Sequence, residues 1–423
     1  MTHRYSGCRS FKKFGSPPGF LPLIWSLLFL WGAPSGFSQA TRGPSTEGTF
    51  HEAKTLHYRV FFQISPSHAN EMGAYLEQLY QLFNSYFHFP EPSSATLLTV
   101  RIFQSKEPFD RYLSLFLNES REDFVYLHHP DPSRRELLLY QCPPEIFYPS
   151  LNHQALLQFL RSHIQNPPLW IREGFAIFFE KVGMDPSSNT LRFKENLDWL
   201  DTLKGMVEPS TSPSDRAFIP LERFLFLTPE EARQNLKAFY PQAWGFVSFL
   251  LYSEDRSYPR FLWDTLSSLK EDASLGENHD SFRKRVLSFY NMSKVEQDFK
   301  TYIQKRPSFS SLMKAGIAAY EKDAYKDAEE AFTGALAIEP GDPLPYYYLG
   351  LIAYATKNYP KAEEQYQKAL SLGGPKGLIQ YALGVNAFAW NRFAEARTYL
   401  TTAIEADPSF KEKAEPILKR LQR

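Results

Sequence analysis

Between Thr55 and Tyr140 the spacing of apolar and polar positions switches several times between the period of a strand and that of a helix. TLHYRVFFQI, starting at Thr55, reads as a strand, and HANEMGAYLEQLYQLFNSYF, starting at His68, as an amphipathic helix. ATLLTVRIFQS returns to a strand and EPFDRYLSLFL to a helix. FVYLHH and ELLLYQC, separated by the turn-forming PDPSRR, predict a hairpin. The segment Leu151–Lys181, LNHQALLQFLRSHIQNPPLWIREGFAIFFEK, follows as helix, and the chain then stays largely helical to Tyr302. A mixed sheet followed by helices predicts an α+β domain over residues 50–305.

A longer period governs the C-terminal end. Gly316, Gly350 and Gly384 recur every 34 residues, as do Ala328, Ala362 and Ala396, and Ala335, Ala369 and Ala403. Pro340, Gly374-Pro375 and Pro408 close the successive units. This pattern resembles the tetratricopeptide repeat (TPR), in which paired antiparallel helices pack through small residues at fixed points. The units fall at 309–342, 343–376 and 377–410, with 411–423 as a polar capping helix, so an all-α solenoid is expected. The resemblance implies a concave groove lined by Met313, Ile317 and Tyr320, by Tyr347, Leu351 and Tyr354, and by Tyr381, Val385 and Phe388. That set is apolar and aromatic and lacks the Lys, Arg and Asn that grip a peptide's terminal carboxylate. It suits an apolar or extended segment of a protein partner. The alternative is that the protein's own chain fills the groove.

Composition narrows the setting. Over 423 residues, 47 basic and 47 acidic side chains cancel, which leaves no global field to draw the protein to nucleic acid. Residues 1–40 read as an export signal: Arg4, Arg9, Lys12 and Lys13 precede the apolar run FLPLIWSLLFLW, and GAPSGFSQA follows it. The run is short for a spanning helix and holds Pro22, which favours a cleaved signal over an uncleaved membrane anchor. An exported protein, in a bacterial periplasm, is the expectation; membrane association through this segment is the alternative. Cys142 is then the lone cysteine after cleavage, so no intrachain disulfide is expected.

The chemistry-bearing stretch is Leu151–Lys181. His153 stands where the first ligand of a His-Glu-x-x-His zinc site would be, and Glu173, in WIREGFA, where a third ligand would be. Trp170, Glu173, Gly174 and Ala176 match the form Trp-x-x-Glu-Gly-x-Ala. The domain thus resembles the gluzincin peptidases, in particular the peptidase-MA-like domains, and IPLERFLFLTPEEA, YPQAWGFVSFLLY and VEQDFKTYIQK resemble the later helical half. The resemblance implies zinc and peptide hydrolysis, but Gln154 and Leu157 occupy the positions of the general base and second His. A Gln cannot take a proton from metal-bound water, and a Leu offers zinc no lone pair. The four positions His153, Gln154, Leu157 and Glu173 therefore read as vestigial, with no catalytic residue, metal or cofactor expected.

Other histidines do not restore the set. His163 is too near Glu173, His51-Glu52 has Thr55 where a second His belongs, and His128-His129 borders a charged turn and is expected to face solvent. Leu156, Leu157, Leu160 and Ile164 recur at helical spacing, so the motif helix also makes sense as core, with His153 bonded to Glu173. Two functions follow from these residues: an exported binding or scaffolding protein with an inactive peptidase-like domain, or a divergent metallopeptidase with a further, unidentified ligand.

Overall fold

In the computed structural model, residues 49–90, 97–117, 124–185, 187–208 and 217–421 are described, and the expected export segment lies outside them. The chain divides into two units, one ending at Gln304 and one beginning at Lys305.

Strands β1 (His51–Lys54) and β2 (Tyr58–Phe62) open the first unit. Tyr58, Val60 and Phe62 are buried while Arg59 is exposed, the two-residue period of a strand with one covered face. TLHYRVFFQI is thus not one strand: Thr55–His57 forms the turn of an antiparallel β1–β2 hairpin, and the His51-Glu52 pair lies in β1. Helix α1 (Pro66–Phe87) starts at Ser65, whose hydroxyl accepts from the His68 backbone N–H, with Pro66 in the first turn. It leads to β3 (Leu98–Phe103), α2 (Lys106–Leu113), β4 (Val125–Leu127) and β5 (Glu136–Tyr140).

The sheet order is β1-β2-β3-β5-β4, parallel at its centre and antiparallel at both edges, where β4 and β5 form the expected hairpin. Val60, Val100 and Leu137 stand side by side across the central strands, and Phe62, Ile102 and Leu139 do so two residues on. These six join the large core that also holds α1. Phe103 and Leu138 face the other way and pack with Phe109 and Leu113 of α2 and Leu127 of β4.

Helices α3 (Pro144–His163) and α4 (Leu169–Phe179) follow, and every residue of α4 is buried. A helix apolar nearly all round needs cover on all sides. Part of that cover is α8 (Leu236–Tyr252), reached after the β6–β7 hairpin (Gly183–Asp185, Thr190–Arg192), α5 (Leu200–Val207), α6 (Leu221–Phe224) and α7 (Pro229–Gln234). Gly174 explains the close crossing, since a Cβ there would lie 2.5 Å from the Ala243 carbonyl oxygen and 2.7 Å from Val247 Cγ2. Helices α9 (Ser257–Ser268), α10 (Leu275–Arg285) and α11 (Met292–Lys305) complete the unit.

The second unit is three helical hairpins and a last helix. The pairs are α12 (Phe309–Tyr320) with α13 (Tyr325–Ile338), α14 (Pro343–Ala355) with α15 (Tyr359–Ser371), and α16 (Lys376–Ala389) with α17 (Phe393–Ala406); α18 (Lys411–Arg420) ends it. The 34-residue period has a packing cause. A Cβ on Gly316, Gly350 or Gly384 would come within 2.6, 2.4 or 2.6 Å of Phe332, Tyr366 or Leu400, a large side chain on the second helix of the same pair. The alanines at 328, 362, 396, 335, 369 and 403 are all fully buried. The turns repeat as well: Asp323, Lys357 and Asn391 have φ of 58°, 61° and 61°, and the next residue's N–H bonds back to Ala319, Ala353 or Ala387.

Candidate functional site

Of the four positions singled out by spacing, His153 and Glu173 meet inside the first unit. His153 on α3 lies against α4 and the residue that follows it. Its Nδ1 is 2.8 Å from Glu180 Oε1, and its Nε2 is 3.5 Å from Glu173 Oε2. The expected His153–Glu173 contact is present, but the shorter bond goes to Glu180. Glu180 is held on its other oxygen by Asn196 Nδ2 at 2.7 Å. Glu173, fully buried, receives Arg172 Nε on Oε1 at 2.7 Å, with Arg172 Nη2 2.6 Å from the same oxygen. Beside them Asn152 donates to the carbonyls of Glu180 and Val182 and accepts from the Tyr75 hydroxyl at 2.8 Å.

The electrostatics follow from that packing. Burial alone would pull the His153 pKa down, yet contacts with Glu173 and Glu180 lift it to about 9, so the ring is an imidazolium at neutral pH. Burial would raise Glu173, but Arg172 and His153 hold its carboxyl down at about 2. Burial, with Arg172 nearby, lowers Arg161 to about 9, still charged at neutral pH. His128 does not face solvent as expected: it is half-buried, and burial together with Arg161, Arg135 and Arg172 drives its pKa to about 3. His163 belongs to another cluster, stacked on Phe89 with ring centres 4.6 Å apart.

Gln154 and Leu157 are buried, 7 % and 5 % exposed. Gln154 supplies no base, and Leu157 no donor atom for a metal. The donor set does not fit a zinc ion: His153 Nε2 meets Glu173 Oε2, Leu157 adds no second imidazole, and the Arg172 guanidinium already pairs with Glu173. Among the described residues, no group of three His, Cys, Asp or Glu side chains is placed to hold a metal ion.

Motif spacing does not disclose Arg172, Glu180 and Asn196 as parts of this cluster. Glu180 carries a signal of another kind, because it follows Glu173 by seven residues, two helical turns along the same face. Arg172 carries none, since an arginine beside Glu173 could as well point outward.

In the second unit the nine expected groove positions separate into three kinds. Met313 and Tyr381 are buried, the latter in the cluster with Phe410 and Ala414 at the end of the array, and are packing residues. Tyr320, Tyr354 and Phe388 each pair with the first residue of the following helix: Tyr325, Tyr359 and Phe393, at 5.9, 6.1 and 5.9 Å between ring centres. Ile317, Tyr347, Leu351 and Val385 are half-buried.

Models of the tetratricopeptide repeat match residues 343–373 and 379–410, the second and third hairpins. No match was found among curated proteins. Among solved structures, the chain is similar to one described as the first TPR of Spaghetti (RPAP3) bound to the HSP90 peptide SRMEEVD. That similarity is at 19% identity, over 27% of this chain and 90% of that one, with a TM-score of 0.26. The C-terminal region is therefore helical and TPR-like, and its repeats imply a role in protein–protein interaction or scaffolding.

Proposed function

We propose that this is an exported binding or scaffolding protein, in which the repeats dock a protein partner and the first unit is a catalytically inactive relative of the zinc peptidases. One observation carries the second half of that reading: the His153–Glu173 pair, where ligands would converge, is closed into an ion-pair core by Arg172 and Glu180. Guanidinium charge offsets Glu173 where a peptidase would use a cation. Glu180 holds the His153 ring from behind, as carboxylates do behind metal-ligating histidines, which supports descent from a metal site. With Gln154 and Leu157 in place, neither water activation nor a second imidazole is supplied.

The docking half rests on the repeats. Half-buried Tyr347, Leu351 and Val385 offer an apolar surface with a polar Tyr hydroxyl, suited to an extended protein segment. The test is affinity capture by the full chain with and without Leu351→Lys. Partners that are lost with that substitution, in a protein of unchanged helical content, support docking through the repeats; an unchanged set of partners contradicts it.

A further inference from the structure

Strand β1 lies at an edge of the five-stranded sheet and is paired with β2 alone. The hydrogen-bond pattern fixes which of its backbone groups face outward. Thr55 N–H donates to the Tyr58 carbonyl at 2.9 Å, so these two residues form a bonded pair. Bonded and non-bonded pairs alternate along an antiparallel ladder, which makes Ala53 with Val60 and His51 with Phe62 the next bonded pairs. The N–H and C=O of Glu52 and Lys54 therefore point away from β2. Among the described residues, no backbone group pairs with them. Their side chains are 35 % and 63 % exposed, while Ala53 between them belongs to the core. A lysine on a short edge strand ordinarily repels other strands. Here a glutamate stands two residues away on the same face, so the edge carries both signs of charge.

We propose that β1 pairs antiparallel with β1 of a second copy of this chain, about a two-fold axis at Ala53, so that the two sheets become one. In that register Ala53 faces Ala53, and Glu52 of each copy stands opposite Lys54 of the other. Both are residues whose backbone groups point outward, so each such pair exchanges its N–H and C=O bonds as a ladder requires. Charge selects this register over its neighbours. An axis at Glu52 sets glutamate against glutamate, and an axis at Lys54 sets lysine against lysine, each a repulsive cross-strand pair. An axis midway between residues matches outward groups with groups already bonded to β2 and forms no ladder. Glu52 keeps an oxygen for the contact, because Arg59 at 2.8 Å and Lys54 of its own strand at 3.4 Å both approach Oε1. The same register carries Phe50 of one copy toward Leu56 of the other, which is 78 % exposed at the β1–β2 turn. A two-fold interface of this kind is self-complementary and closes at two copies.

The test is sedimentation equilibrium of the full-length protein over roughly 1–200 µM, where a Kd in the micromolar range is read. A monomer–dimer equilibrium is expected, weakened at least about tenfold by Lys54→Glu or by Glu52→Lys, each of which sets like charges opposite one another. An equimolar mixture of the two variants should pair again, because every glutamate of one chain then faces a lysine of the other. Circular dichroism checks that each variant keeps its fold. A monomer throughout the range, a Lys54→Glu dimer as tight as the unaltered one, or a mixture that fails to pair overturns the inference. Docking through the repeats is read separately, by the loss of captured partners in Leu351→Lys.

Discussion

The side chains of His153, Glu173, Arg172 and Glu180 act as one unit, and removing any member strands a buried charge. Arg172→Met is expected to destabilise the first unit by ~3–5 kcal/mol, the usual cost of breaking a buried pair from one side, as read by urea denaturation. A loss below about 1 kcal/mol would mean that the pair is solvated. The titrations set a pH profile. His153, raised to about 9, contributes stability that is complete below its unfolded value of ~6.5 and is lost as pH rises through 9. His128 and His279, lowered to about 3 and about 4 chiefly by burial, resist protonation in the fold, so stability falls as pH drops below ~6.5 toward those values. Glu173, held at about 2, adds a further loss only as pH falls below its unfolded range. Thermal melts across the acid and alkaline ranges should therefore peak near pH ~6.5, and His153→Gln should flatten the alkaline limb. An alkaline limb unchanged in that variant would refute the assignment.

Among the helices and strands, close crossings carry the most specific information. Gly174→Ala places a methyl against the Ala243 carbonyl, backbone that cannot rotate away, and is expected to cost ~1–3 kcal/mol in stability. Gly276→Ala, where a Cβ meets nothing within 4 Å, serves as the control and should be near neutral or stabilising. In the repeats, Lys357 sits at φ 61°, so Lys357→Gly should relieve roughly 0.5–1 kcal/mol, seen as a higher Tm. The repeat hairpins are legible in the sequence because small residues at fixed spacing have one cause, the large side chain facing each glycine at Phe332, Tyr366 or Leu400. The central strands are legible from alternation. Strand β1 is not, because His51–Lys54 shows only one buried residue, Ala53, and acquires its pairing from β2. Helical spacing tells which face the rings of Tyr320, Tyr354 and Phe388 leave from, but not that Tyr325, Tyr359 and Phe393 wait across the turn to meet them. Inside the site, motif spacing points to His153 and Glu173, while Asn196 comes to it through tertiary packing, and the sequence does not show that Arg172 turns back on its neighbour Glu173.

For the chain taken whole, we propose that recognition falls to the repeats and that the first unit lacks hydrolytic chemistry, since Arg172 and Glu180 close His153 and Glu173 into an ion-pair core. Descent from a metal site, as proposed, makes zinc binding recoverable: Gln154→Glu with Leu157→His supplies a base and a second imidazole, and Arg172→Met in addition releases Glu173 from its guanidinium partner. Zinc binding that emerges only as these changes accumulate would accord with that history. The decisive quantity is the metal content of the unaltered full-length protein, purified without chelator and dialysed against zinc-buffered solution, by inductively coupled plasma mass spectrometry. No stoichiometric zinc is expected; one tightly held zinc per chain, lost on substitution of His153 or Glu173, would show that the metal site persists.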